Sequence, residues 1–192
     1  HLLNHSLGLI SLDAMDAGRR VFVTIWFNPL GLTLLYGSLT IHLALAFWSI
    51  YRRRSLRMPL WEAAQLLLGL MIPPLLAIHV IGSRGAHQLF DTDTNYFYEL
   101  LILWVFSPKD GVQLAVVLVI LWMHGCIGLH FWLRLKSWYP RALPFVYAAA
   151  ILVPVLALLG FAAGGREVAR LADGPDWLNQ AIAEIGFPDD DG

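Results

Sequence analysis

The sequence predicts an all-α protein, a bundle of membrane-spanning helices, and three observations support this prediction. Of the 192 residues, 58% are hydrophobic and 14% are charged, and the mean hydropathy is +0.62. The apolar residues form long runs, and basic residues cluster between the runs. Soluble domains are about 45–50% apolar and about 25% charged, so a water-soluble enzyme is disfavoured. A net charge of −1 argues against a disordered chain and against nucleic-acid binding through a basic surface.

Four runs have the roughly 20 apolar residues that a helix needs to cross a bilayer. They are residues 21–51, 60–82, 112–133 and 143–163. Internal prolines at 29, 73, 74 and 154 are expected to kink these helices. Residues 1–12 are predicted to be the last turns of a further, truncated membrane helix, with no signal peptide. The bundle would then occupy 13–164, and 165–192 would be a tail.

The basic residues predict the orientation of the bundle. The loop after the first span and the loop after the third hold seven of the 13 basic residues: Arg52, Arg53, Arg54, Arg57, Arg134, Lys136 and Arg141. By the positive-inside rule both loops should be cytoplasmic. Loop 83–110 and the tail should then lie outside, with an interfacial helix at 100–106 and a short amphipathic helix around Trp177 and Leu178.

Histidine is the ionisable residue that the four spans contain away from their ends. Carboxylates and lysines lie in loops or at the ends of spans, which disfavours a proton-coupled transporter. The histidines within spans are His42, His79, His124 and His130. Because an ionisable group inside a membrane is costly, these residues are the first candidates for a functional site.

Their depths place histidines at two levels of the bundle. His42 and His124 each lie ten residues before a basic loop, roughly 15 Å from that end at 1.5 Å per residue. His79 lies near the opposite end of its span, at the same level as His1 and His5. The two levels should be roughly 15–18 Å apart along the membrane normal.

Two histidine pairs at two levels are what two b-type haems would need, because each iron takes one imidazole on either face of the porphyrin. The lone Cys126 excludes a covalent c-type haem, which needs C-x-x-C-H. A lone histidine in a membrane is, however, as often a packing residue that hydrogen-bonds to a neighbour. We expect His130 to be structural or a propionate neighbour, and His87 to be an exposed loop residue.

Arginines near both levels are candidates for neutralising haem propionates. They are Arg19, Arg20 and Arg84 at the outer level and Arg53 or Arg134 at the inner level. The alternative, that these are ordinary charges flanking membrane helices, is equally open.

The segments around these histidines resemble the di-haem cytochrome b anchors of succinate dehydrogenase and fumarate reductase. They are His1-Leu-Leu-Asn-His5, Ile41-His42, Ala77-Ile-His79-Val80 and the run from His124 to Trp132. The resemblance implies ligands from four successive helices, the first paired with the third and the second with the fourth. Carried over by position, the pairs are His1/His79 and His42/His124, with His5 as the substitute for His1.

A narrower resemblance is to the membrane anchor of bacterial class III adenylate cyclases, carried by H-L-L-N-H-S-L-G-L-I-S-L and H-G-C-I-G-L-H-F-W-L-R. It implies an anchor in the bacterial inner membrane that senses the redox state of quinone through two haem b groups. The regulated cyclase and a ferredoxin-like domain would lie outside this non-catalytic segment, and a homodimer is possible. The chain departs from that pattern in its truncated first helix and in the absence of a sixth helix and of a cysteine cluster. The alternative is the anchor subunit of a respiratory quinone oxidoreductase.

Overall fold

A computed structural model describes the chain except residues 56, 86–87, 90–94, 175, 180–181 and 183–192. The described part is helical and contains no strand. Its helices are α1 (Leu2–Ser6), α2 (Leu12–Trp26), α3 (Pro29–Tyr51), α4 (Leu60–Val80), α5 (Tyr96–Leu101), α6 (Pro108–Leu133) and α7 (Tyr139–Ala172). A 3-10 turn, Leu7–Leu9, follows α1, and π-helical turns extend α4 over Ile81–Gly85 and α5 over Ile102–Phe106.

Four of the described helices are long and apolar enough to cross a membrane. They are Pro29–Tyr51, Leu60–Ser83, Pro108–Leu133 and Tyr139–Ala172. The prediction of four membrane-spanning helices is therefore confirmed by length and composition, which indicates a multi-pass membrane protein.

The first span begins later than predicted, because residues 21–51 form parts of two helices. The chain leaves helical geometry at Phe27, and Asn28 is extended. The Asn28 side chain accepts a hydrogen bond from the backbone N–H of Gly31 at 2.9 Å, and Pro29 occupies the first turn. Asparagine at the cap followed by proline starts a helix, so this proline marks a break, where a kink was expected.

The fourth span is longer than predicted, since α7 continues to Ala172 and does not end near residue 163. The predicted tail therefore begins with helix, in which Gly164, Gly165 and Val168 are buried. Helices α4 and α7 run through their internal prolines. Of the predicted amphipathic helix, residues 176–179 and 182 are helical, and the remainder lies outside the described residues.

The best-packed core lies at one end of the bundle. Its buried side chains come from α2, α5 and α7: Met15, Tyr96, Tyr98, Leu100, Leu101 and Val168. The helix expected at a membrane interface over 100–106 thus buries its apolar side within the protein, with Leu101 fully inaccessible. We call this end, which also holds His1 and His79, the upper end; the end with Arg53 and Arg134 is the lower end.

Small residues let the helices approach closely. A Cβ at Gly160 of α7 would overlap the backbone carbonyl of His5, and one at Gly8 would overlap the carbonyl of Gly160. Between α6 and α7, the Trp122 indole N–H donates to the Ala150 carbonyl at 2.7 Å. Helix α4 packs along α6, whereas α3 packs chiefly against α2. Close approach through glycine is the usual means by which membrane helices associate.

Candidate functional site

The structure brings the rings of the lower pair of histidines close together. The imidazole centroids of His42, on α3, and His124, on α6, are 6.0 Å apart with an interplanar angle of 82°. Helices α3 and α6 have little or no close backbone packing, so these rings meet although the helices that carry them stand apart. His42 is exposed, and His124 is partly buried.

Contacts from α4 fix the orientation of the His124 ring. Its Nδ1 lies 3.0 Å from the backbone carbonyl oxygen of Gln65. A carbonyl oxygen can only accept, so Nδ1 carries the proton, and Nε2 of the neutral ring keeps its lone pair. Gly69, one turn further along α4, leaves room for the ring: a Cβ there would lie 2.7 Å from Cε1 of His124. Metal-binding histidines are commonly held in this way through their second nitrogen.

The upper pair is also brought together. The ring centroids of His1 and His79 are 5.9 Å apart with an interplanar angle of 47°. His5 lies beside His1, at 4.6 Å between centroids, and packs edge-on against Tyr96 and Phe161. Among the described residues, Nδ1 of His5 and Nδ1 of His79 are buried without a hydrogen-bond partner. Buried polar atoms of this kind are rare in folded proteins and favour a missing ligand or water.

A cavity of about 440 Å³ connects the upper histidines with α2 and α5. Its polar lining comes from His1, Asn4, His5, Arg19, His79, Ser83, Tyr96 and Glu99. Arg19 donates to the Asp16 carboxylate at 2.8 Å, and Arg20 pairs with the same carboxylate. Of the arginines predicted near this level, Arg19 lines the cavity, and both Arg19 and Arg20 pair with Asp16. The side chain of Arg84 lies outside the described part.

Three titratable groups of α5, which lies outside the four spans, have raised pKa values: Tyr96, Tyr98 and Glu99. Burial raises the pKa of Glu99 to about 7, against a lowering by the Arg19 guanidinium. Burial also raises the pKa of Tyr96 to about 12. The Asn4 side chain lies beside the Tyr96 hydroxyl and partly offsets this rise in its pKa. Shifted groups that line a cavity are typical of functional sites.

The remaining predicted residues have local roles. Nδ1 of His130 lies 2.9 Å from the hydroxyl of the buried Tyr139, which fits the structural alternative predicted for this histidine. Arg53 pairs with Glu62 at 3.3 Å, and the Arg134 guanidinium lies 4.9 Å from the centre of the Phe131 ring. Cys126 is a free, partly buried thiol. His87 lies outside the described residues.

Sequence reasoning missed Gln65, Gly69 and Glu99. Spacing along one helix shows the depth of a residue but not which residue of another helix faces it, so Gln65 and Gly69 gave no signal. Glu99 did carry one, since it precedes a run of apolar residues directly. A carboxylate beside such a run is easily buried when the run packs against other helices.

Within the described residues, no three His, Cys, Asp or Glu side chains are grouped to hold a bare metal ion. The histidines instead form pairs from different helices, and a prosthetic group that is held between two imidazoles would require such pairs. The orphaned Nδ1 atoms and the cavity beside them fit such a group at the upper end, and the Gln65–His124 bond fits it at the lower end.

Comparison with protein-family models, with curated proteins and with solved structures finds no match to this chain.

Proposed function

We propose that this chain binds two haem b groups, one between His42 and His124 and one between His1 and His79. The observation that carries the proposal is the separation of the rings, 6.0 Å in the lower pair and 5.9 Å in the upper pair. A metal–imidazole bond is about 2.0–2.1 Å, and the ring centroid lies about 1 Å behind the ligating nitrogen. Two imidazoles on opposite sides of one metal ion therefore have centroids about 6 Å apart.

The surroundings of the rings support the same assignment. At the lower site, the Gln65 carbonyl keeps the Nδ1 proton in place, so that His124 offers Nε2 to the metal. At the upper site, His1 has the ring contact with His79, and His5 lies to its side. We therefore assign His1 as the upper ligand and His5 as a neighbour that packs against Tyr96.

Bound haem would supply one-electron transfer, and the residues of this chain would hold it, orient it and keep it apart from water. Two such groups at two levels would carry electrons across the membrane part of the protein. We propose a quinol in the bilayer as their partner. On the basis of the resemblance to bacterial cyclase anchors, we further propose that the redox state regulates an adenylate cyclase fused to this segment.

The test of the haem sites is the absorption spectrum of the detergent-purified chain. We expect a reduced-minus-oxidised b-type spectrum and two haems per chain by pyridine haemochrome. His42→Ala and His124→Ala should each remove the same one of the two haems, and His79→Ala should remove the other. His130→Ala is the matched control, because this histidine is engaged by Tyr139, and it should keep both haems. A colourless chain expressed with adequate haem supply, or equal loss of both haems in each variant, would refute the proposal.

The regulatory role is tested separately from haem binding. If the gene continues into a ferredoxin-like cysteine cluster and a cyclase domain, the full-length protein should change its cyclic AMP production when the quinone pool is reduced. If the gene instead encodes a partner of a respiratory flavoprotein, the alternative of a quinone oxidoreductase anchor holds. Neither result bears on the haem assignment, which the absorption spectrum tests separately.

A further inference from the structure

Glu99 is the carboxylate in the described lining of the upper cavity. Its helix α5 is capped by Asn95, whose side chain accepts the Tyr98 N–H at 2.8 Å, and buries both Tyr96 and Tyr98. This anchoring holds the Glu99 carboxylate in the same cavity as His1 and the other upper histidines.

Few charges compensate a negative charge at Glu99. From α2 the nearby charged groups are Arg19 and Asp16, and the Arg19 guanidinium already donates to the Asp16 carboxylate at 2.8 Å. The other groups that face the cavity or neighbour Glu99 are Tyr96 and Tyr98 from α5, His1 and His5 from α1 and its start, His79 from α4, and Phe161 from α7. Of these, the N-terminal amino group of His1 can also carry a positive charge, and burial lowers its pKa from the usual 8.0. Burial raises the pKa of Glu99 to about 7, so the carboxyl changes its protonation near neutral pH.

We propose that Glu99 takes up one proton when one electron reaches the group held by His1 and His79, so that reduction of the upper site, and of that site alone, is linked to pH. This inference rests on the proposed function. The electron comes from a quinol, or from dithionite in a titration, and the proton comes from water. One O–H bond forms on the carboxylate and no other bond changes in the chain. An added negative charge in the same cavity disfavours a second one, which is the physical reason for the coupling.

The lower pair has no equivalent carboxylate among its described neighbours. His124 contacts the His42 ring and the Gln65 carbonyl, and it packs against the backbone at Gly69. The carboxylate of α4 at the lower end is Glu62, which is 46% exposed and paired with Arg53. The lower site therefore serves as an internal reference within one sample.

The experiment is a spectroelectrochemical titration of the purified chain at several pH values between about 5.5 and 8.5, a range that brackets the titration of the carboxyl. We expect one of the two potentials to fall with rising pH, by at most about 59 mV for each tenfold change in proton concentration, and the other to stay constant. Glu99→Gln should abolish the slope, and the matched control Glu62→Gln should preserve it. Two constant potentials, two equal slopes, or a slope that survives in Glu99→Gln would overturn the inference.

A measurement on the unmodified chain covers the case in which Glu99→Gln does not fold. The infrared difference spectrum between reduced and oxidised protein should contain the band of a newly protonated carboxylic acid, and Glu99→Asp should shift this band. Absence of the band overturns the inference, whereas two haems in the spectrum keep the proposed function intact. A chain without haem would overturn both.

Discussion

Gly69 of α4 lies directly against the imidazole of His124 on α6. A Cβ at Gly69 would be 2.7 Å from Cε1 and 3.1 Å from Nδ1 of that ring. The ring cannot retreat freely, because Nδ1 is bonded to the Gln65 carbonyl on the same face of α4. The absence of a side chain at Gly69 therefore helps to fix the position of His124 opposite His42.

The variant Gly69→Ala should disturb this pair. Forcing a methyl group against the ring costs about 1–3 kcal/mol in a packed interior and pushes His124 away from its place opposite His42. We expect a lower thermal unfolding midpoint and, if haem binds as proposed, reduced content of the lower haem. The matched control is Gly125→Ala on α6, where a Cβ would meet nothing within 4 Å. That variant should gain up to about 1 kcal/mol from helix propensity, and a similar loss in both variants would contradict the prediction.

The close approach of α1 to α7 gives a second prediction. A Cβ at Gly160 would overlap the His5 carbonyl, which is backbone and cannot turn aside. Gly160→Ala should therefore separate α1 from α7 and expose the upper end of the bundle to protease. Gly37→Ala, at an open position on α3, is the control and should digest like the unmodified chain. If both variants resist the protease equally, the backbones of α1 and α7 lie further apart than the structure places them.

Stability should depend on pH through Glu99. An unfolded carboxyl ionises near a pKa of 4.5, and burial raises the pKa of Glu99 in the folded chain to about 7. Between these values the folded state binds more protons, so stability is lost as pH rises, by up to roughly 3 kcal/mol once both states are ionised. Thermal unfolding in detergent should show that Glu99→Gln is more stable than the unmodified chain above about pH 7 but not near pH 4. A constant difference across this range would argue against a buried carboxyl.

The Tyr139 hydroxyl gives a prediction at the lower end. Tyr139 is 4% exposed, and its oxygen lies 2.9 Å from Nδ1 of His130. Tyr139→Phe leaves the histidine nitrogen unpaired and should cost about 1–3 kcal/mol. Chemical unfolding would measure this loss. Because the contacts of His130 are with Tyr139 and Phe131, the visible spectrum should be unchanged, and a changed spectrum would place His130 in a cofactor site.

Much of this architecture could be predicted from the order of residues. Hydropathy is sufficient to find the four long helices, because a bilayer imposes a minimum apolar length on each. The same rise per residue that set the depths of His42 and His124 predicted which rings would meet, and the structure brings those rings together. The boundary at Asn28 was missed, because apolar residues continue on both sides of the cap and hide the break.

What the sequence could not provide was the rotation of each helix about its axis. Gln65 and Gly69 matter only because α4 turns that face toward α6, and Glu99 matters only because α5 folds inward. The run after Glu99 was apolar enough for a membrane surface and equally for a protein core, and packing against α2 and α7 decided between them.

Helix α3 is loosely attached to the rest of the bundle, so a small displacement near its start becomes larger at its far end. Its main packing is with α2, beside the break at Asn28, and its lower end is tied by the pair between Arg53 and Glu62, an exposed contact worth less than about 1 kcal/mol. His42 lies about 20 Å along the helix from Pro29, and Tyr51 lies about 33 Å along it. If α3 pivots as a rigid helix at Asn28, a change in the spacing of the lower histidines is enlarged by more than half at the far end of the helix, where the chain continues to Arg52.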